Sequence, residues 1–293
     1  MQIKRSLGEF LFDHANVLFL LGLMLVTLYP LVHVLFASVS APSRLISHQG
    51  LLLLPLGFEL GSYGLVFKNP MIVRGYLNTM IIVLAGTTTN LVMTSLGAYV
   101  LSRRDVLWKK LMMMVIVFTM FFSGGIIPTY LLVRNLEMTN TLYALFIPTA
   151  ISTYNLIIMR TAFMGVPYSL EESARIDGAK DFTILFRIMI PLSLPVIAVM
   201  VLFYGVGHWN SWFSAMIYLR KRELYPLQLI LREILISSDT TQMMTDVGGM
   251  DKEPVGQTVK YATIIVATLP VLSIYPFLQK YFVKGIMIGA LKG

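Results

Sequence analysis

The sequence contains no cysteine and few charged residues, and both deficits restrict what the protein can be. Without cysteine it has no disulfide bond, no thiol nucleophile and no cysteine-ligated metal. Charged residues make up 13% of the 293 positions, which is about half of the proportion found in a soluble domain. Hydrophobic residues make up 56%. This composition predicts a membrane protein.

Sequence motifs for nucleotide chemistry and for catalysis inside a membrane are also missing. The chain has no G-x-x-x-x-G-K-[ST] phosphate loop, and no apolar run contains an H-E-x-x-H, serine–lysine or paired-aspartate arrangement. His14, His33 and His48 are scattered, and no second histidine or carboxylate accompanies His208 at metal-ligand spacing. We therefore expect no catalytic residue, no metal site and no cofactor bound by this chain.

Six uncharged runs are long enough to cross a hydrocarbon core, which takes about 20 apolar residues; they are 14–43, 75–102, 111–133, 138–159, 188–219 and 261–279. They predict transmembrane helices at about 16–40, 76–102, 111–133, 140–162, 190–217 and 261–280. The expected fold is an all-α polytopic membrane protein with six transmembrane helices in one domain over residues 1–293. The first run is too long for a signal peptide, and Ser38-Val39-Ser40-Ala41 is a poor cleavage context, so we expect it to be a retained anchor.

The distribution of lysine and arginine predicts the orientation of these helices. One face receives both termini and the segments near 102–110 and 160–187, with 13 cations and 7 anions, while the other face has 10 cations and 8 anions. The more positive face is expected to be cytoplasmic. Both termini are therefore predicted to be cytoplasmic. The net charge of +8 is explained by the excess of lysine and arginine on the cytoplasmic face, and we expect no nucleic-acid binding.

A charged segment, residues 165–190, separates the fourth and fifth predicted spans. Ser169 and Glu172 have the spacing of a capping box, in which each side chain bonds to the other residue's backbone amide. This predicts a short helix that begins at about Leu170. Gly178 is positioned to end the helix in a left-handed conformation.

A second helix is expected from near Asp181 to Pro191, so that the short helix is held between two arms attached to the membrane. Ala174 is small enough to let another backbone approach it closely. The alternative is a helix that rests on lipid headgroups. Such helices favour lysine and arginine, whereas this one mixes both signs of charge, at Glu171, Glu172, Arg175, Asp177 and Lys180.

The segment resembles the EAA motif, E-A-A-x3-G-x9-I-x-L-P, of permease subunits in ATP-driven bacterial importers. The matching positions are Glu172, Ser173, Ala174, Gly178, Ile188, Ile190 and Pro191, with Ser173 and Ile190 departing from the pattern. The resemblance implies the type I ABC importer permease fold, with a coupling helix that docks on a cytoplasmic ATPase subunit. The coupling residues it implies are Leu170, Glu171, Glu172, Ser173, Ala174, Asp177 and Gly178.

Further stretches resemble the carbohydrate-uptake branch of these importers. They are 123–130, 155–160, 209–213 and 284–289. The likeness is to the second permease of the maltose importer type, and most of all to subunits for oligosaccharides or polysaccharides such as alginate. It implies a multi-pass permease in the bacterial inner membrane that works with a second, homologous permease, two ABC ATPases holding ATP and Mg, and an extracytoplasmic solute-binding protein.

Candidate translocation residues are fewer and each has an alternative interpretation. Tyr204, Trp209, Asn210 and Trp212 fall near the outer end of the fifth span, where they suit a sugar path or an aromatic belt at the lipid interface. His208, beside them, is expected to be an interfacial polar residue. In the third span, Gly124 and Gly125 suit a bent gate or an ordinary packing kink. The external loop 219–260 could dock the binding protein or be a solvated loop.

Two other functions remain as alternatives to an ATP-driven sugar permease. A secondary transporter needs no ATPase, but such proteins usually bury ionisable residues within their spans, and the six runs contain no Asp, Glu, Lys or Arg. A non-transporting membrane scaffold would not depend on the EAA segment. Copurification with ATPase subunits separates the scaffold from the permease.

Overall fold

The computed structural model describes residues 7–236 and 254–290 of the chain, and all regular secondary structure in them is helical. The α-helices are α1 Leu7–Ser38, α2 Pro42–Ser47, α3 Gly61–Lys68, α4 Pro70–Ser102, α5 Lys109–Phe121, α6 Ile126–Asn135, α7 Thr153–Met164, α8 Tyr168–Ile176, α9 Asp181–Leu192, α10 Leu194–Trp209, α11 Phe213–Tyr218, α12 (described over 227–236) and α13 Pro254–Ala290. Short 3-10 helices occur at Leu142–Leu145 and Arg222–Leu224.

The chain divides into two compact units. The first comprises Met1–Asn69 and Glu233–Thr268, and the second comprises Pro70–Arg232 and Leu269–Gly293. The all-helical architecture agrees with the fold class expected from the composition.

In the first unit, α1 is predominantly apolar from Val17 onward, and no residue of its most apolar stretch is buried. A helix of this kind presents its side chains to lipid. Polar bonds hold the following segments to the helices: Tyr63 shares a hydrogen bond of 2.7 Å with the Ser38 hydroxyl, and the Ser62 hydroxyl donates to Thr258 at 2.7 Å. The Tyr29 hydroxyl accepts from the backbone N–H of Leu52 at 3.1 Å.

In the second unit, α4 is the central helix and lies against α7 and α10. A cluster of buried apolar side chains joins α4 to α7, α9 and α10; its members include Ala98, Met159, Phe163, Ile184, Leu185, Met189 and Met200. Because α8 contributes Ala174 to the same cluster, the short charged helix is fixed to the membrane-spanning helices by packing as well as by polar contacts.

Three helices, Gly8–Ser38, Pro70–Ser102 and Gly256–Ile274, are individually long and apolar enough to span a membrane. They coincide with the first, second and sixth predicted spans. The third and fifth predicted spans correspond to bent pairs, α5 with α6 at 112° and α9 with α10 at 87°. The described residues therefore give three to five spans, and six remains a prediction.

Glycine and proline account for the bends. Gly125, between α5 and α6, has φ +82° and ψ −179°, a conformation that only glycine adopts without strain. Ser193 separates α9 from α10, with Pro191 and Pro195 on either side; each proline lacks the N–H of a continuous helix. A π-helical turn, Leu185–Met189, precedes this break.

The fourth predicted span, 140–162, is the least regular. Only α7, with 12 residues, is an α-helix there, and the chain before it contains a 3-10 turn and extended residues. Backbone groups outside a helix need partners when they are buried in a membrane protein. Asn90 of α4 supplies them, because its Nδ2 donates to the carbonyls of Thr149 at 2.7 Å and Ala150 at 3.0 Å.

Candidate functional site

The α8 segment begins earlier than the sequence predicts. The helix starts at Tyr168 with Pro167 as its N-cap, and no side chain caps it. The predicted capping box of Ser169 and Glu172 is therefore wrong, because Ser169 already lies inside the helix. Proline at 167 has a fixed φ that suits a helix start, which moves the start two residues upstream of Leu170.

The end of α8 agrees with the prediction. The helix ends at Ile176, Gly178 takes φ +81°, and α9 begins at Asp181. The N–H of Ala179 donates to the carbonyl of Ala174 at 2.9 Å, which closes a left-handed glycine turn.

A network of charged groups holds α8 against the end of α4. Glu171 is buried and forms an ion pair with Arg103, which is also buried and lies 4.6 Å from the centroid of the Tyr99 ring. Arg175 bonds to Glu171 at 3.1 Å and to Asp181 at 3.0 Å. Since Tyr99 donates to Asp181 at 3.0 Å, the network joins α4, α8 and α9.

The seven residues implied by the resemblance separate into two faces of the α8 segment. Glu171 and Ala174 face the core of this chain. The small side chain of Ala174 therefore allows α8 to pack closely against other helices of the same chain. The outward residues are Leu170, Glu172, Ser173, Asp177 and Gly178. Exposed apolar side chains flank them, with Ile176 exposed by 81% and Phe182 by 68%.

We predict that Gly178→Ala lowers the free energy of unfolding by about 1–2 kcal/mol, because alanine is strained at positive φ. Apart from the chain neighbours of Gly178, no atom of the described residues lies within 4 Å of an added Cβ, so the strain is purely conformational. Gly178→Asn should lose less, since asparagine tolerates this conformation. Denaturant titration of the purified protein measures both variants, and equal stability of alanine, asparagine and wild type would contradict the assignment.

A cavity of about 410 Å³ lies beside α10 and contains three of the predicted path residues, Tyr204, Asn210 and Trp212. Trp209 is absent from its lining: it is buried, makes an edge contact with Tyr76 at 6.2 Å, and lines a separate cavity of about 340 Å³. Gly124 and Gly125 line neither cavity; they lie at the exposed break between α5 and α6.

Asn90 is the central polar residue of the 410 Å³ cavity. Both hydrogens of its amide are used by the carbonyls of Thr149 and Ala150, so its Oδ1 must accept from His208 Nε2 at 2.6 Å. Tyr204 bonds to the Thr94 hydroxyl at 2.8 Å and accepts from the N–H of Ser152 at 3.2 Å. The cavity thus has a fixed polar wall within apolar helices.

Sequence reasoning missed part of this wall. Asn90 is not among the predicted path residues, although a polar amide inside an apolar run is a signal of a partner or a polar cavity. The sequence predicts an interfacial His208, but this residue is buried against Gly86, where an added Cβ would lie 2.6 Å from the imidazole Nε2. Ser152 and Asn155 complete the missed set.

No group of three or more His, Asp or Glu side chains that could hold a metal occurs in 7–236 or 254–290. The middle of the external loop 219–260 lies outside the described residues, and so do the side chains of 284–289.

Comparison with known proteins gives a consistent result. Residues 99–288 match the model of the family described as "binding-protein-dependent transport system inner membrane component". The chain is 42% identical over 283 residues to the polygalacturonan/rhamnogalacturonan transport system permease protein YtcP of Bacillus subtilis, covering 97% of this chain and 99% of the relative. It is 41% identical to protein LplC of the same organism, covering 96% and 95%.

A solved structure agrees with these relatives. It is the crystal structure of a bacterial ABC transporter involved in the import of the acidic polysaccharide alginate. A chain of it is 30% identical to this one, with a TM-score of 0.86, covering 96% of this chain and 100% of that chain.

Proposed function

Because the chain belongs to the family of binding-protein-dependent transport system inner membrane components and is the permease of a carbohydrate ABC importer, we propose that it forms a translocation path with a second permease and is coupled to cytoplasmic ATPases through α8. The imported substrate is an oligo- or polysaccharide that an extracytoplasmic binding protein delivers. ATP and Mg belong to the ATPase subunits, and this chain carries out no reaction on the substrate.

The two-sided character of α8 is the observation that carries this proposal. Its inner face is attached to α4 through Glu171 and Arg103, both of which are more than nine-tenths buried as side chains. Its outer face exposes Glu172 and Ile176. A partner that pushes on the outer face therefore moves α4 directly, because a buried ion pair is costly to break.

The helices that α8 would move line the polar cavity. The α4 helix contributes Asn90, and α9 continues through the break at Ser193 into α10, which contributes Tyr204 and His208. A displacement of α8 thus changes the walls around the 410 Å³ cavity. Amide, hydroxyl and aromatic groups of this kind suit the hydroxyls and C–H faces of a sugar.

Loss of ATPase binding on changing the outer face of α8 tests the proposal. Glu172→Lys reverses a charge, and Ile176→Asp adds one. Both residues are exposed, and substitutions at exposed positions change the free energy of unfolding only slightly. We expect each variant to retain about a tenth or less of the ATPase subunits in copurification, since unpaired charges are excluded from protein interfaces. Glu59→Lys, an exposed charge reversal in the first unit, is the matched control.

The same variants separate this proposal from its alternatives. In proteoliposomes of the assembled complex, wild type should accumulate saccharide only with internal ATP. Uptake driven by an ion gradient without ATP would indicate a secondary transporter. Unchanged copurification and uptake in Glu172→Lys and Ile176→Asp would contradict coupling through α8.

A further inference from the structure

A third cavity, of about 290 Å³, lies between the end of α6 and the end of α11. We call it the arginine pocket; its lining residues are Tyr130, Arg134, Thr139, Asn140, Tyr218 and Arg220 with Ile217. It lies at the opposite end of α4 from Arg103, because Asn78 near the start of α4 donates to the carbonyls of Glu223 and Tyr225 at 2.8 and 3.0 Å. The helical rise from Asn78 to Ser102 is roughly 35 Å. In the proposed topology the pocket therefore faces the extracytoplasmic side.

The backbone around the arginine pocket is held in place. Asn140 adopts φ +62°, its Oδ1 accepts from the N–H groups of Arg220 at 2.7 Å and Lys221 at 3.1 Å, and its own N–H donates to the carbonyl of Tyr218 at 2.9 Å. Tyr218 also packs against a buried cluster that contains Val133. The two chain segments that carry Arg134 and Arg220 are thus fixed relative to each other.

The two guanidinium groups of the pocket have no carboxylate partner in the part of the chain that the structure describes. Among residues 7–236 and 254–290, neither Arg134 nor Arg220 forms an ion pair with a carboxylate. By contrast, Arg74, which lies near the start of α4, forms an ion pair with Glu223 at 3.5 Å. Two unpaired arginines at the rim of one concavity create a positive potential that attracts anions.

The other groups that line the arginine pocket are aromatic rings and a hydroxyl, which are the kinds of group that contact sugars. The rings of Tyr130 and Tyr218 are parallel, with an interplanar angle of 4° and centroids 6.3 Å apart. Aromatic faces contact C–H surfaces, and the hydroxyl of Thr139 can pair with a sugar hydroxyl. Guanidinium groups bind carboxylates with paired hydrogen bonds. A ligand that satisfies all of them is a sugar that carries a carboxylate.

We propose that the arginine pocket is a binding subsite for uronate units, at which Arg134 and Arg220 receive the carboxylate of an acidic oligosaccharide as it enters from the extracytoplasmic side. This inference rests on the proposed function and adds the substrate class. A docking surface for an acidic patch of the binding protein would use the same charges. The concave shape and the parallel tyrosine rings favour the saccharide.

The test uses the assembled complex of this chain with its companion permease and ATPases, purified without the binding protein. Titration calorimetry measures the binding of trigalacturonate and of its fully methyl-esterified, uncharged form. We expect wild type to bind the acid and to bind the ester more weakly by about tenfold or more. Arg134→Gln and Arg220→Gln should each weaken binding of the acid by about tenfold and leave binding of the ester unchanged. Arg74→Gln, which removes a cation outside the pocket, should match wild type.

Several results would overturn the subsite. One is that the wild-type complex binds the acid and the ester with the same affinity. Another is that both pocket variants bind the acid as tightly as wild type. A third is that Arg74→Gln loses as much affinity for the acid as the pocket variants do. Retained acid binding in the pocket variants, with a loss only of ATP hydrolysis stimulated by the binding protein, would identify a docking surface instead. If a variant fails to assemble, salt dependence in wild type decides: binding of the acid must weaken with ionic strength while that of the ester does not.

Failure of the proposed function has a different signature. A wild-type complex that copurifies with no ATPase, or whose ATP hydrolysis does not respond to any saccharide-loaded binding protein, contradicts the transport role regardless of how trigalacturonate binds. A transport-competent complex with the same affinity for acid and ester contradicts the uronate subsite alone.

Discussion

Glu171→Ala is expected to lower the free energy of unfolding by about 3–5 kcal/mol, because it leaves the guanidinium of Arg103 buried without its partner. Both side chains are less than one-tenth exposed, so water does not replace the lost carboxylate. Arg103→Ala should have an effect of similar size for the same reason. Denaturant titration of the detergent-purified protein, followed by circular dichroism, measures the change.

Glu172→Ala is the matched control for this prediction, because Glu172 is the next residue of the same helix and is exposed. Its free energy of unfolding should remain within about 0.5 kcal/mol of wild type. The double variant Arg103→Leu with Glu171→Leu should recover part of the loss, since an apolar pair removes both buried charges. Equal effects of Glu171→Ala and Glu172→Ala would refute the assignment of Glu171 as the anchor of α8.

Asn90→Leu is the second substitution with a large expected effect. Leucine has a similar volume, but it leaves the carbonyls of Thr149 and Ala150 and the Nε2–H of His208 without their hydrogen-bond partner. Each buried polar group that is left unpaired costs about 1–3 kcal/mol. We therefore expect a loss of at least about 2 kcal/mol in the free energy of unfolding, together with reduced uptake, because the wall of the 410 Å³ cavity loses its order.

Asn210→Ala serves as the control for Asn90→Leu. Asn210 is exposed, and its side chain bonds only to the local carbonyl of Val206, at 3.0 Å, among the contacts within the described residues. Its loss should change the free energy of unfolding by about 0.5 kcal/mol or less. If Asn90→Leu were as stable as Asn210→Ala, the amide of Asn90 would have no structural role.

Features set by local geometry were predictable from the sequence. The left-handed turn after α8 needs a residue that tolerates positive φ, which few residue types do. The glycine at position 178 therefore predicts the end of the helix by itself. The long apolar runs gave the positions of α1, α4 and α13 because spanning length is a property of composition. The start of α8 differs from the prediction because two local signals compete, and the helix begins after Pro167, with no cap from the Ser169 side chain.

Features that depend on distant contacts were not predictable. Glu171 and Glu172 are equivalent in a one-dimensional pattern, and only the packing against Arg103, 68 residues away, makes the first buried and the second exposed. The same reasoning separates Trp209 from Trp212: three residues apart on the chain, they face different cavities. His208 looked interfacial because its partner Asn90 lies 118 residues earlier in sequence.

Among the described residues, the ion pair that joins α8 to the end of α4 and the one that joins α8 to α9 have unequal strengths, and this difference determines where the segment can bend. The contact of Arg175 with Asp181 joins side chains that are 43% and 63% exposed, and a pair of that kind contributes about 0–1 kcal/mol. The junction of α8 with α9 is therefore compliant, while the one with α4 is stiff. We therefore expect α8 and the end of α4 to rotate together as a rigid body, with the change in backbone dihedral angles concentrated in a hinge at residues 177–180 around Gly178.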